Sequence, residues 1–346
     1  MRRFVLLIIT VIFLTIPVSA IDFTAPAAPD TAEEYMPENT ESFGEGLWYI
    51  LKSAIHKLQP SISEASGICL SLFAITILTS LLHSFSGSTK KVVELAGVFM
   101  ISLLLMQPAN TLIKLGTQTV TELSEYGKLL LPVLTAALAA QGFASSSAAL
   151  YAATALFGSV LSSAISKLIV PMLYIYLCLC IANSAVGEEV LKNLSKFVKW
   201  VITWCLKIIL YVFTGYIGIT GVVSGTADAA AVKAAKIAIS GTIPVVGGII
   251  SDASEAILVS AGIMKSTAGV YGLLTVLAVC VGPFLQIGVQ FILLKVTAAV
   301  SGTIGAKRLC ELMQDFSGAM GLILAMTGTV CLLLLISTVC FMKGAA

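Results

Sequence analysis

The chain has 346 residues, of which 58% are hydrophobic and only 11% charged, and its formal net charge is +2. Soluble domains carry about a quarter charged residues, so this composition excludes an ordinary water-soluble globule. The small net charge and the lack of any Lys/Arg run argue against a nucleic-acid partner. The apolar residues come in long blocks, with a mean hydropathy of +1.01, as membrane lipid requires of a solute. An all-α, polytopic transmembrane bundle with interfacial helices is the predicted fold class.

At the N-terminus, Arg2 and Arg3 precede an apolar run from Phe4 to Ile16, which Pro17 ends. Val18-Ser19-Ala20 then offers the small-x-small pattern of a signal-peptidase site. Residues 1–20 read as a signal peptide cleaved after Ala20, with an uncleaved signal anchor as the alternative. From Ile21 to Ser42 the chain is rich in Pro, Asp, Glu and Thr without apolar periodicity, which predicts a disordered acidic extracytoplasmic tail. Leu47, Leu51, Ala54 and Leu58 then share one helical face, with Lys52 and His56 on the other and Trp48 and Tyr49 suited to the headgroup level. That pattern predicts an interfacial helix completing residues 21–60.

The multi-span domain occupies residues 61–346. Ser61 and Glu64 form a capping box after Pro60, so a helix is expected to open there. Spans follow at Ala65–Phe85 and Val92–Met106. Leu129–Ala140 is only about a dozen residues long and contains Pro132, so it is a short span or a re-entrant segment. Ser145–Ser166 is rich in small residues that favour close packing, and Leu168–Val186 carries Pro171. Glu188 to Lys199 is amphipathic, with Lys192, Lys196 and Lys199 on its basic face, and leads into a span from Trp200 to Val223. Further spans run over Gly269–Leu294 and Met320–Met342. With Ile21 outside, about seven to eight spans result, and eight place Lys90/Lys91, Lys192/Lys196/Lys199 and Lys307/Arg308 together in the cytoplasm. Both termini and Ser224–Ala268 then lie outside. A re-entrant Leu129–Ala140 would put the Lys192 group on the wrong side.

Chemistry is sparse. The eight cysteines (Cys69, Cys178, Cys180, Cys205, Cys280, Cys310, Cys331 and Cys340) form no C-x-x-C pair and lie mostly in apolar runs, which reads as hydrophobic filling rather than a disulfide or metal site. Neither G-x-x-x-x-G-K-[ST] nor H-E-x-x-H occurs, so any ATP must be spent by a separate protein. The two histidines, His56 and His83, sit at an interface and a span end. No catalytic residue, cofactor site or metal site is expected. Lys207 is the one charge well inside a predicted span; it either snorkels toward the cytoplasm or lines a polar path.

The least ordinary stretch, within residues 211–268, is rich in Gly and Ala. Gly215, Gly218, Gly221 and Gly225 recur at three- and four-residue spacing, which lays a smooth stripe for helix packing. Asp228 then opens a small-residue helix with Lys233 and Lys236 on one face. That helix is either solvated at the interface or bound to a partner. Pro244 with Gly247 and Gly248 breaks it. The runs G-V-V-S-G-T-A-D-A-A-A-V-K-A-A-K and I-P-V-V-G-G-I-I-S-D-A-S-E resemble the stage III sporulation protein AE family. The resemblance is specific from Tyr211 to Ala268 and rests elsewhere on the order of segments.

The resemblance implies a protein made in the mother cell of an endospore former and placed in the membrane around the engulfed forespore. It further implies partners from the same operon, including a separate ATPase, and a forespore-membrane partner across the intermembrane space. Together they would form a channel or feeding apparatus. A self-sufficient small-solute permease is the competing reading, because Pro132, Pro171 and Pro283 could interrupt helices near a midplane site. If the glycine stripe packs helices, Gly218→Leu or Gly221→Leu is expected to disrupt assembly; normal recovery of the complex from both variants would remove the idea.

Overall fold

Long apolar runs become helices because a helix satisfies its own backbone polar groups, as a bilayer interior demands. The computed structural model describes residues 25–37, 42–140, 144–219 and 267–344, and every regular element among them is helical. In chain order these are α1 (Asp30–Glu33), α2 (Phe43–Lys57), α3 (Gln59–Phe85), α4 (Lys90–Ala140), α5 (Ala144–Ala164), α6 (Val170–Val186), α7 (Glu189–Ile219), α8 (Thr267–Gly302) and α9 (Lys307–Gly344). A five-residue π-helical turn, Ile165–Ile169, joins α5 to α6. Six stretches among the described residues are long and apolar enough to cross a membrane: Gln59–Phe85, Lys90–Ala137, Ser147–Val186, Glu189–Ile217, Gly269–Gly302 and Lys307–Met342.

Among the described residues, two pairs of the expected spans are continuous helices. Val92–Met106 and Leu129–Ala140 are the two ends of α4, which runs for 51 residues through Pro108 and Pro132. Leu129–Ala140 is therefore the last stretch of a long helix, and does not turn back. Continuity follows from an unbroken buried stripe: Leu105, Ala109, Ile113, Val120, Leu123 and Leu130 all face inward, so packing on that face outweighs the local cost of proline. Likewise Ser145–Ser166 and Leu168–Val186 form one rod. The π-turn lies just before Pro171, where a missing backbone N–H would otherwise orphan a carbonyl of the preceding turn. Since the two mergers together remove two crossings, the sidedness of every basic cluster is unchanged.

Two smaller expectations are also corrected. The capping box does not form, because α3 begins at Gln59 with Pro60 in its first turn; Ser61 and Glu64 are helical residues. The acidic segment is partly folded: Ala28 and Ala32 are buried, Thr31 Oγ1 donates to Glu122 Oε2 at 2.7 Å, and Lys57 Nζ lies 3.0 Å from Glu34 Oε1. Helix α2 turns Phe43, Gly46, Ile50 and Ala54 inward, so its buried face keeps Ala54 and Leu58 of the expected face, half-buries Leu47 and is rotated away from Leu51. It packs on α8. The signal peptide lies outside the described residues.

Helix α9 is the axis. The apolar window within Lys307–Met342 is 94% buried, and its neighbours reveal their direction by what they touch. A Cβ on Gly116 of α4 would meet Ile323, and one on Gly127 would meet Leu334, so α4 and α9 run parallel. Ser317 Oγ donates to Phe291 O at 3.1 Å, and Gly269 abuts Met342, so α8 is antiparallel. Thr154 reaches Ser337 at 3.1 Å and Tyr176 OH donates to Asp315 O at 3.2 Å, so the α5–α6 rod is antiparallel too. Lys192 pairs with Glu311 at 3.5 Å, and Lys199 lies beside Gly318, which makes α7 parallel.

This alternation brings the short turns at 86–89, 187–188 and 303–306 to one end of the bundle. Arg308 binds there, with Nη1 donating to Ala185 O at 3.5 Å and Nε lying 3.6 Å from Glu94. Gly187 closes α6 at φ +81°, and a Cβ there would sit 2.9 Å from the Arg308 guanidinium. Lys90, Lys91, Lys192, Lys307 and Arg308 thus share the end that the positive-inside pattern groups as cytoplasmic.

A Gly116→Leu variant tests the α4–α9 seam, since even its Cβ would sit 2.5 Å from Ile323 Cγ2. Overpacking of that kind costs about 1–3 kcal/mol, so a lower thermal-unfolding midpoint is expected in detergent. Gly158→Ala, inside α5 where nothing lies within 4 Å, should leave the midpoint unchanged or raise it slightly, because alanine is the better helix former.

Candidate functional site

The outer face of α4 changes character halfway along. Val92, Leu95, Phe99, Met100 and Leu103 are exposed in its first turns. Beyond them Gln107, Thr111, Lys114, Gln118, Thr121, Glu125 and Lys128 are exposed instead. Their alternating four- and three-residue spacing keeps them on one face, a polar stripe about 32 Å long at the rise of an α-helix.

At the start of this stripe a groove of about 550 Å³ opens between the first turns of α3, the middle of α4 and α8. Glu64 comes from α3; Gln107, Lys114 and Gln118 from α4; Gln286 and Gln290 from α8. The floor is apolar, built from Ala65, Leu104, Leu112 and Leu115. Gln290 is only 5% exposed, and its amide Nε2 has no hydrogen-bond partner. Glu64 and Lys114 are solvent-facing and pair with no other described residue. One carboxylate, one ammonium and several carboxamides therefore ring an apolar floor without neutralising each other by direct contact, the form of a polar-ligand site.

One turn of α8 beyond Gln286, chain expected to be unstructured packs on the bundle without lining the groove. Tyr35 packs against Gly282 of α8, and Lys57 lies over its ring at 4.9 Å. Burial, reinforced by the nearby Glu34 carboxylate, raises the Tyr35 phenol above its ordinary value; it stays a neutral packing group at physiological pH. Deeper polar contacts serve packing: Tyr174 OH donates to Asn110 Oδ1 at 2.7 Å, tying α6 to α4. His83 lines a second cavity of about 100 Å³ with Glu94 at the basic end, and His56 is exposed on α2.

The residues singled out from sequence lie elsewhere. Gly215 is on an exposed face of α7 with open space around it, and Gly218 lies in the last turn of that helix. Gly221, Gly225, Asp228, Lys233, Lys236, Pro244, Gly247 and Gly248 fall outside the described residues. Lys207 is exposed on the outer face of α7 beside Trp204, Ile208 and Tyr211. Any path it lines would run between this chain and a neighbour rather than through the bundle. The groove itself escaped the sequence reading, although the regular polar spacing from Gln107 to Lys128 was a visible signal.

Fold and surface together define a polytopic all-α membrane protein with a polar groove on its flank. The sequence profile of the stage III sporulation protein AE (spore_III_AE) family matches residues 32–345, and the chain belongs to that family; it is a sporulation membrane protein. It is similar to a Bacillus subtilis (strain 168) protein called stage III sporulation protein AE, with 22% identity over 271 residues, or 78% of this chain and 68% of that protein. No solved structure matches.

Burying an amide without a partner costs about 1–3 kcal/mol, and Gln290 carries such an amide. Gln290→Leu is therefore expected to raise the unfolding midpoint of the purified protein. An unchanged or lower midpoint would show that the native amide is satisfied, by water or a bound molecule.

Proposed function

We propose that this protein is a non-enzymatic integral component of a channel complex joining mother cell and forespore, acting after engulfment. It would reside in the mother-cell membrane surrounding the forespore. Family membership across residues 32–345 carries this reading. The polar stripe on α4 supports it, because a membrane protein that shows lipid a row of Gln, Lys and Glu pays a desolvation cost unless water or another subunit covers them. With no nucleotide-binding motif in the sequence, energy would come from a separate ATPase of the same operon. A forespore-membrane partner would meet the complex across the intermembrane space.

The groove supports a second reading, a self-sufficient permease for a small polar solute. Solute flux through the purified protein in liposomes would favour it. The primary test is deletion of the gene in its spore-forming host. Arrest after engulfment with late forespore transcription absent is expected; normal sporulation would overturn the channel-component reading.

A further inference from the structure

The groove sits at a particular height on the bundle. Below it, toward the basic turns, the α3–α4–α8 flank exposes Leu70, Leu81, Phe85, Phe99, Leu103 and Val296. From Phe85 to Glu64, α3 climbs about 32 Å at the helical rise, close to the roughly 30 Å hydrocarbon thickness of a bilayer. If the basic end faces the cytoplasm, the groove lies at the headgroup level of the opposite leaflet. Its apolar floor and the exposed leucines beneath it continue into the space where acyl chains run.

From this placement we propose that the groove binds the zwitterionic headgroup of an aminophospholipid drawn from that leaflet. The charge balance selects the class. An anionic headgroup would call for surplus positive charge, whereas Glu64 offsets Lys114 here. A phosphate beside Lys114 and a primary ammonium beside Glu64 would each gain a charge-assisted hydrogen bond. Quaternary ammonium groups are held by aromatic cages, and no aromatic residue is among the described residues lining the groove. A primary ammonium has N–H donors for Glu64 and for the carboxamide oxygens of Gln107, Gln118 and Gln286. Gln290, nearly buried in the wall with its amide nitrogen unpartnered, supplies a donor for a phosphate or ester oxygen. The volume of about 550 Å³ falls in the range of small-molecule sites. This inference does not depend on the channel reading.

The test uses the full-length protein, purified in detergent and stripped of lipid. Its thermal-unfolding midpoint is followed while phosphatidylethanolamine, phosphatidylcholine or phosphatidylglycerol is added in mixed micelles. Phosphatidylethanolamine is expected to raise the midpoint at the lowest concentration. Glu64→Gln and Lys114→Met should each raise the half-saturating concentration about tenfold, the value of one charge-assisted hydrogen bond. Both side chains are exposed and unpaired with described residues, so both variants should match the wild type before lipid is added. A variant that does not is replaced by Gln118→Leu, read the same way. Equal responses to the three lipids, or unchanged phosphatidylethanolamine responses in the variants, would overturn the proposal. So would an equal response to water-soluble glycerophosphoethanolamine or alanine, which would assign the groove to a free zwitterion.

Discussion

A helix that is apolar on every side can exist only if other helices surround it, and α9 is such a helix. Leu322, Ile323, Leu324 and Ala325 follow one another around its whole circumference, and all are buried. Its hydroxyl residues are compatible with that burial because each has a carbonyl acceptor: Thr329 donates to Ala325 O, Ser337 to Leu333 O and Thr338 to Leu334 O within the helix, and Ser317 to Phe291 O of α8. Such bonds leave no polar group to draw water in. The requirement to cover a 38-residue helix sets the dimensions of everything around it. A neighbour that stopped at bilayer thickness would leave half of α9 bare, so α4 continues through Pro108 and α5 continues into α6 through the π-turn.

The cover must also approach closely. Gly97, Gly116 and Gly127 of α4 lie where a Cβ would collide with side chains of α3 or α9, and Gly269 and Gly272 of α8 do the same against Met342 and Leu130. Close backbone approach favours dispersion contacts, which must replace the hydrophobic effect once lipid is the solvent. The glycines that carry packing in the described bundle are therefore dispersed among polar and apolar neighbours. Gly215, from the conspicuous stripe, is on open surface. Regular glycine spacing advertises a smooth helical face without saying what meets it.

Other parts of the molecule divide along the same line between local and long-range information. The membrane class, the positions of the apolar runs and the grouping of Lys90, Lys192 and Arg308 were legible, because hydropathy and charge act residue by residue. Family membership was legible from two runs between Tyr211 and Ala268. Helix continuity across Pro108 and Pro171 was not, since proline is a local penalty that only a long buried stripe can outweigh. The inward face of α2 was misread by a rotation, because Ile50 and Leu51 are equally apolar and only α8 decides between them. The groove was the least accessible: it needs Glu64, Lys114 and Gln290 together, and nothing in a single sequence states that those three segments meet.

The outer surface poses one further constraint. On the α3–α4–α8 flank the exposed apolar residues thin out at the groove, roughly halfway up, with Ile62, Leu129 and Tyr271 scattered beyond it. On the α5–α7 flank, Lys192 and Lys196 occupy the lowest turns among exposed apolar residues that begin at Val190 and go on to Leu194 and Phe197. They continue through Trp200, Trp204, Ile208, Tyr211 and Tyr216, with Val160, Leu156 and Tyr151 beside them. Phe197, Trp200 and Trp204 form a ring ladder with centroids 6.0 and 5.9 Å apart. A flat hydrocarbon slab perpendicular to α9 and about 30 Å thick cannot cover both flanks at once. Either the bundle tilts toward one flank, as membrane helices commonly do by about 20°, or the upper aromatic surface meets protein rather than lipid. A tilt would lower the α5–α7 flank toward the groove's level and leave the polar stripe above the hydrocarbon, which relieves both mismatches with one motion. The stripe and the raised aromatic face are then two consequences of how the sheath around α9 was fitted to a membrane thinner than itself.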